Sequence, residues 1–359
     1  MNQPDRPLTL HDLLARRWRT EAPITAIRFA TDGGATAFAT AAGAVLIAGA
    51  ADPEPPESRI RVTGDLGQTT IRPRTKEPPA LVPVTGLADG APPIAARGSG
   101  FLVGDAAGRV LELGPDGAAT TVLTLEGPVV ALDQAGGAVA AADAGGVTLL
   151  NRDGARRRDL PGTVALALHA GGGLAAADAG AVRLLGRDDA SPAVPLAGAL
   201  RLRWRGDGAW LGAALGAEGI ALVDPAAPAA PIRLGGFPAP ARDLVWSAPG
   251  HAFAAPGAFR VAAWDAEALP ATDRPLLTGQ PGLVAVEALA AHPSRPLLAA
   301  GFANGQVVIA QIGARDELLL RHEGAAVTAL AFSPDGRHLA IGDAAGVAAI
   351  ATFPARMFK

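Results

Sequence analysis

Short runs of apolar residues recur along the whole chain and are separated by turn residues. The pattern is clearest between residues 325 and 353, where VTALAF, HLAIG and VAAIATF are joined by SPDG and by DAAG. Short apolar runs bounded by Gly, Pro, Asp and Ser are typical of β-strands joined by tight turns. This segment therefore predicts three consecutive antiparallel strands.

The same pattern repeats upstream, with a fourth and more polar strand after each set of three. Aligning the turns gives eight units, the later ones at intervals of about 35 to 42 residues. Second turns such as DAGG, DAG and ANG supply the positive φ angles that tight hairpins require. The fourth strands carry charges and prolines, which keep an outer edge from pairing with another molecule. First strands begin near Pro23, Pro93, Pro128, Thr163, Ala199, Ala241, Leu283 and Ala325.

Composition supports strands over helices. The chain has 45 Gly and 31 Pro among 359 residues. In a helix interior a Gly costs about 1 kcal/mol of stability relative to Ala, and a Pro costs about 3 kcal/mol. Stacked repeats also allow a chain of this length to form one domain. We therefore expect a single all-β domain over residues 1–359.

The units resemble the WD-repeat β-propeller family, which has four-stranded units of this length, SPDG after the first strand and Trp-Asp at the end of the third. Trp-Asp occurs once, at Trp264-Asp265, and the full SPDG once, at Ser333. The resemblance covers residues 14 to 353, clearly in the last unit and by pattern elsewhere. It implies a β-propeller of four-stranded antiparallel blades that acts as an interaction scaffold, like bacterial WD-repeat proteins.

The chain departs from that family in its second turns. There the family places an Asp that supports a hydrogen-bonded network with His and Trp. The matching positions in this chain include Ala345, Asn304 and Glu218. We therefore expect packing of small Ala and Gly residues to replace that network in most blades.

The last unit supplies only three strands before the sequence reaches Lys359. Residues Leu14 to Arg19 precede the first unit at the usual distance and would complete the last blade. This arrangement predicts a ring of eight blades closed by the N-terminal strand. Seven blades, the commoner number in the family, is the alternative if one unit is a distorted insertion.

One segment interrupts the repeats. Residues 51–79, within the first blade, are rich in proline and carry Arg59, Arg61, Arg72 and Arg74. The runs SRIRV and TTIRPR predict a protruding hairpin, after which PALVPV returns as the fourth strand. A long insertion in a compact scaffold is either a binding element or a solvated loop, and both interpretations stay open.

The net charge and the N-terminal sequence argue against a nucleic-acid-binding, membrane-bound or secreted protein. The net charge is −3, which gives no overall attraction to nucleic acid or to anionic membranes. Cys and Tyr are absent, aromatic residues are few, and the basic clusters lie on predicted outer strands. The first 20 residues lack the apolar core of a secretory signal, and no long apolar span occurs. We expect a cytoplasmic monomer that binds neither nucleic acid nor membrane.

The sequence shows no catalytic or metal-binding constellation. His169 and His292 share one turn position but fall three units apart, and no HxH, HExxH or GxSxG spacing occurs. Both histidines are interpreted as exposed turn residues. No glycine loop opens a helix as a phosphate site requires. We therefore predict no catalytic residues, no metal and no cofactor.

The first strands run nearest the ring axis, so aligned positions on them are expected to face one channel. At the place of Ala331 most units have a small apolar residue, and the alignment puts Ala131 there in the third unit. Arg28 and Arg203 stand at this place in the first and fifth units. These two units therefore differ from the rest inside the channel.

Two residues earlier, Arg201 of the fifth unit is aligned beside Asp243 of the sixth. One hypothesis is that Arg28, Arg201 and Arg203 form a basic channel for an anionic side chain or a small anion. The other is that Arg201 pairs with Asp243 while the remaining arginines reach water. The second is the simpler interpretation.

Two functions remain. The leading one is a non-catalytic scaffold that binds a protein or peptide on a rim, at a channel mouth or on the insertion. The alternative is a propeller enzyme, similar to lactonases or dehydrogenases, or a small-anion binder that uses the channel. Convergent acids or histidines in the channel would favour the enzyme.

Overall fold

Glycine turns and apolar strands fold into small antiparallel sheets arranged as a ring. The computed structural model describes residues 8–63, 68–186, 192–270 and 274–358. Within these ranges, eight sheets form the blades, seven with four strands and one with three. The prediction of an all-β propeller with eight blades is confirmed, and the seven-bladed alternative is wrong. No helix in these ranges is long and apolar enough to cross a membrane.

The first four blades follow the predicted units. The chain begins with α1 (Leu10–Leu14) and β1 (Ala15–Arg19). Blade 1 contains β2 (Ile24–Phe29), β3 (Ala35–Thr40) and β4 (Val45–Gly49), then α2 (Pro56–Arg59), β5 (Ile60–Thr63) and β6 (Gln68–Ile71) of the insertion, and finally β7 (Val82–Val84). Blade 2 has β8 (Ile94–Arg97), β9 (Gly100–Gly104), β10 (Arg109–Leu113) and β11 (Ala119–Thr124). Blade 3 has β12 (Ala131–Ala135), β13 (Ala138–Asp143), β14 (Gly146–Asn151) and β15 (Gly154–Asp159). Blade 4 has β16 (Ala165–Leu168), β17 (Leu174–Ala177), β18 (Val182–Leu185) and β19 (Ala193–Val194).

The second four blades complete the ring. Blade 5 has β20 (Arg201–Trp204), β21 (Leu211–Ala214), β22 (Ile220–Val223) and β23 (Ile232–Leu234). Blade 6 has β24 (Val245–Ser247), β25 (Ala252–Ala255) and β26 (Ala262–Asp265), and a single bridge from Ala263 to Leu276 stands in place of an outer strand. Blade 7 has β27 (Val286–Ala291), β28 (Leu297–Phe302), β29 (Val307–Gln311) and β30 (Glu317–Arg321). Blade 8 has β31 (Val327–Phe332), β32 (His338–Asp343) and β33 (Val347–Thr352).

The N-terminal strand closes the ring, as predicted. β1 pairs antiparallel with β33, from Ala15 opposite Ala351 to Arg19 opposite Val347. Just before it, Thr9 caps α1: its hydroxyl accepts from the Asp12 backbone N–H, and the Asp12 carboxylate accepts from the Thr9 N–H. The eighth blade is therefore built from both ends of the described chain.

The order of strands gives the ring two distinct faces. Every first strand begins at one face, here called the front face, and ends at the other, the back face. Because neighbouring strands are antiparallel, the turns between second and third strands also lie on the front face. The turns between first and second strands, and the insertion that follows β4, lie on the back face.

Small residues let adjacent blades approach each other closely. Gly301 lies against Val327 of the next blade, and Gly342 lies against Ile24 across the closing seam. A Cβ at either glycine would overlap the neighbouring side chain. Buried alanines fill much of the remaining space between blades. Small residues thus account for much of the close packing between blades.

Several front-face turns are held by an aspartate and an arginine. Asp143 is buried, accepts hydrogen bonds from the N–H groups of Gly145 and Gly146, and binds Arg157 with an Nη2–Oδ1 distance of 2.8 Å. The hydrogen bond from Arg157 is the largest of the effects that lower the pKa of Asp143 to about 2. Asp343 and Arg321 make an equivalent contact at 3.2 Å between blades 8 and 7. These pairs join residues of different strands or blades, so the local strand pattern does not predict them.

Candidate functional site

The first strands of all eight blades line the central channel. Their side chains form two levels: a front level, at the place of Ala329, and a back level, at the place of Ala331. Small or apolar residues occupy most positions in both levels. The charged exceptions are Arg201 and Asp243 at the front level, and Arg28, Asp133 and Arg203 at the back level.

The predicted alignment of the third unit is wrong by two residues at the channel. Ala131 pairs with Ala142 and Asp133 with Ala140, whereas Ala331 pairs with Ala340 in blade 8. Asp133, not Ala131, therefore stands at the place of Ala331. The cause is a tight turn in which Gly136 and Gly137 both have positive φ, making this hairpin two residues shorter than the SPDG turn.

Asp133 is held between two blades. Its Oδ2 accepts the backbone N–H of Leu168 in blade 4 at 2.7 Å. Burial raises the pKa of Asp133, although this hydrogen bond and the charges of Arg203 and Arg28 act in the opposite direction. The carboxyl group is thus committed to the joint between blades 3 and 4.

The predicted ion pair between blades 5 and 6 forms with a different arginine. Arg203, not Arg201, donates to Asp243 through one edge of its guanidinium group, with distances of 3.2 Å from Nε and 3.0 Å from Nη2. Arg203 fits because a back-level side chain can reach forward to a front-level carboxylate on the adjacent blade. Burial would raise the pKa of Asp243, but Arg203 and Arg201 lower it overall.

Arg28 and Arg201 lack such a carboxylate partner among the described residues. Arg28 donates from Nη1 to the carbonyl of its own neighbour, Ile27, at 2.8 Å. Burial, followed by the charges of Arg203 and Arg201, lowers the pKa of Arg28 to about 9. Arg201 is more exposed than Arg28, and partial desolvation of its charge in the channel lowers its pKa, although Asp243 opposes the shift. Both arginines therefore carry a charge that their surroundings only partly compensate.

The front mouth of the channel is apolar along one side. Val130, Val164 and Leu200 each precede the first strand of blades 3, 4 and 5, and they are 48%, 54% and 50% exposed. Phe259, in the second turn of blade 6, and Leu283, before β27, are exposed on the same face. These five account for most of the large exposed apolar side chains in the described ranges.

The back face is tied together by turn residues. His169 approaches the carbonyl of Gly206 on the next blade, with its Nε2 at 3.1 Å from the oxygen. His292 is buried and packs edge-on against Phe332 of the next blade, with ring centroids 4.9 Å apart. The interpretation of His292 as an exposed turn residue is therefore wrong, because the neighbouring blade covers it.

Tryptophans add further ties between blades. The Nε1 of Trp204 donates to the carbonyl of Ala167, and that of Trp246 donates to the carbonyl of Arg203, both at 3.0 Å. In each case the indole reaches back to the first strand of the preceding blade. These contacts fix the backbone that carries Arg203.

The insertion folds back onto the closing blade, and two of its four candidate arginines bind within it. Its predicted hairpin is confirmed as β5 and β6, and β7 is the predicted fourth strand, while the hairpin turn, 64–67, lies outside the described residues. Arg59 donates to the carbonyls of Glu54 and Arg72. Arg74 forms an ion pair with buried Asp52. Arg61 and Arg72 have exposed side chains.

In the described part of the chain, no group of three or more His, Asp or Glu side chains is placed to hold a metal ion. The channel contains three arginines and two aspartates at its two levels, and both aspartates are engaged, one by the Leu168 backbone and the other by Arg203. This arrangement suits the binding of an anion better than acid–base chemistry.

Solved structures share this fold. The computationally designed Ika8 protein is 17% identical, with a TM-score of 0.65 over 96% of this chain and 100% of that chain. The C-terminal WD40 domain of Sif2 is 11% identical, with a TM-score of 0.64 over 94% and 99% of the two chains. The WD40 repeats of RRP9 are 14% identical, with a TM-score of 0.56 over 97% and 99%. Such low identities establish the propeller fold alone. No family model and no curated protein matches the sequence.

Proposed function

We propose that this chain is a non-catalytic scaffold that binds a protein or peptide on its front face, over the channel mouth. The observation that carries the proposal is the group of exposed apolar residues on that face. The structures above that contain WD40 repeats share its fold, which gives a rigid ring with accessible loops. Apolar side chains clustered on one face commonly mark an interaction surface.

The geometry of the mouth favours a partner with a narrow apolar element. Val130, Val164 and Leu200 come from three consecutive blades and line one side of a cavity of about 680 Å³. Their apolar surface lies beside the channel charges, so one partner segment can contact both. Removing such apolar surface from water contributes about 25 cal/mol per Å².

The front face is a better candidate than the insertion. Ile71 of the insertion packs against the apolar cluster of the closing blade, and Glu57 accepts from the Arg337 side chain and from the Ala355 N–H. The insertion thus covers part of the back face and is held there. Its exposed arginines are fewer than the sequence suggested.

Affinity capture from the native cell tests this proposal with two matched variants. Val164→Glu places a charge at the front mouth, and Leu277→Glu makes the same change at a similarly exposed position near the outer edge of blade 6. We expect the wild type and Leu277→Glu to retain a common partner and Val164→Glu to lose it. Equal retention by all three proteins would contradict the proposal.

A further inference from the structure

The channel is divided by arginines that project from opposite sides of the ring. Two cavities, of about 680 and about 700 Å³, occupy it. The first is lined by blades 1 to 5 and the second by blades 5 to 8 and blade 1. Both contact Arg28, Arg201 and Arg203. Because blades 1 and 5 are opposite each other in a ring of eight, these side chains form the partition between the cavities.

The partition has more positive than negative charge. Asp243 neutralises Arg203 through two hydrogen bonds, and Asp133 is engaged by the Leu168 backbone. Among the described residues, neither Arg28 nor Arg201 is hydrogen-bonded to a carboxylate. Burial, followed by the charges of Arg203 and Arg201 on blade 5, lowers the pKa of Arg28, so a bound anion would stabilise its charged form.

We propose that Arg28 and Arg201 form a site for one oxyanion of carboxylate or phosphate size, held in the partition between blades 1 and 5. Guanidinium groups donate in a planar fork that matches carboxylate and phosphate oxygens. An anion between the two side chains would offset their mutual repulsion. The cavities on either side give it room and leave a route to the front mouth.

This site goes beyond the protein-binding surface proposed above, because it needs no protein partner to be occupied. The oxyanion can belong to a free metabolite or to an acidic side chain of the bound partner. In both cases the recognition chemistry is the same. Binding of simple anions is therefore measured first, and competition between phosphate and the protein partner is measured afterwards.

Calorimetric titration with inorganic phosphate and with citrate provides the first test. We expect saturable binding of one anion to the wild-type protein. Arg28→Met keeps the apolar stem and removes the fork, so it should weaken binding about 10- to 100-fold. Arg152→Met makes the same change in an exposed turn outside the channel and should bind like the wild type. The proposal fails if neither anion binds saturably, or if both variants bind equally.

Thermal unfolding separates an anion site from a structural role of Arg28. Without added anion, Arg28→Met should melt at the wild-type temperature or higher, because the substitution removes an uncompensated charge. Phosphate should raise the melting temperature of the wild type and not that of the variant. A variant that melts well below the wild type, with no phosphate effect on either protein, would assign Arg28 a structural role instead.

A further arm identifies the source of the anion. If phosphate displaces the protein partner captured by the wild type, the partner supplies the acidic group. If partner and phosphate bind together, the site serves a free anion. Loss of the partner in Val164→Glu with intact phosphate binding would show that the two sites are separate, so failure of one proposal does not imply failure of the other.

Discussion

Two buried basic side chains, Arg16 and His11, lie at the closing seam. Arg16 is buried on β1, donates to the carbonyl of Ala50 at 2.6 Å and lies over the ring of Trp18. His11 is buried in α1, and its Nε2 has no hydrogen-bond partner among the described residues. Burial, helped by Arg321 and Arg17, lowers the pKa of His11 to about 4 from its ordinary value of 6.5. These residues connect the stability of the seam to pH.

His11 predicts a loss of stability in mild acid. As pH falls below 6.5 the unfolded chain takes up a proton at His11, whereas the folded chain does so only near 4. The contribution of His11 to the free energy of unfolding is therefore complete above pH 6.5. It decreases by up to about 3 kcal/mol as the pH falls to about 4. Urea unfolding of wild type and His11→Phe between about pH 7 and pH 4 should show a smaller decrease for the variant.

His322→Phe is the matched control, because His322 is exposed. Its unfolding free energy should follow the wild-type pH dependence. Identical pH dependence in all three proteins would show that His11 does not carry the effect. Since burial also lowers the pKa values of His292 and His338, only the difference between proteins is assigned to His11.

At the scale of elements, the insertion acts as a clamp. Arg74 binds Asp52 through its guanidinium group and reaches the carbonyl of Leu14 at 3.3 Å, so it joins the insertion to the end of α1. Trp18 on β1 donates to the carbonyl of Pro79 at 2.7 Å. The C-terminal part of the insertion is therefore held to the N-terminal segment at two points.

Arg74→Ala is expected to destabilise the protein. The substitution would leave the Asp52 carboxylate buried without its counterion, at a cost of about 3 kcal/mol. Arg72→Ala, an exposed residue on the same segment, should change the unfolding free energy by less than about 0.5 kcal/mol. Urea unfolding of both variants provides the measurement, and equal small effects would argue against the clamp.

At the scale of the whole molecule, ring closure depends on one strand. β1 covers the edge of β33, whose residues Ala348 to Ala351 are buried. Without β1 this edge and the apolar cluster beneath it would meet water. β1 thus supplies the outer strand of the eighth blade and joins the N-terminal segment to the last strand of the chain.

Deletion of residues 1–20 should lower the melting temperature sharply. The measurement is thermal unfolding by circular dichroism, with Arg17→Ala and Arg19→Ala as control variants on the same strand, because both side chains are exposed. The controls should melt close to the wild type. A truncated protein with an unchanged melting temperature would exclude closure by β1.

The sequence predicted what depends on local pattern. Strand runs and glycine turns gave eight blades, and the missing fourth strand of the last unit identified β1. Contacts between blades were harder to predict. The short turn at Gly136 and Gly137 moved Asp133 into the back level, and the next blade covers His292. The burial of Arg16 was not predictable either, because strand alternation does not reveal that the carbonyl of Ala50 lies within reach.

The register of the seam also determines how the ring would respond to force. Ala15 is opposite Ala351, while Arg19 is opposite Val347, so the two chain ends leave the β1–β33 pair at the same end. A pull on both termini would open this pair one hydrogen bond after another, like a zipper, and would not load all its bonds at once. Tethering the protein by both ends would therefore peel the eighth blade open at low force.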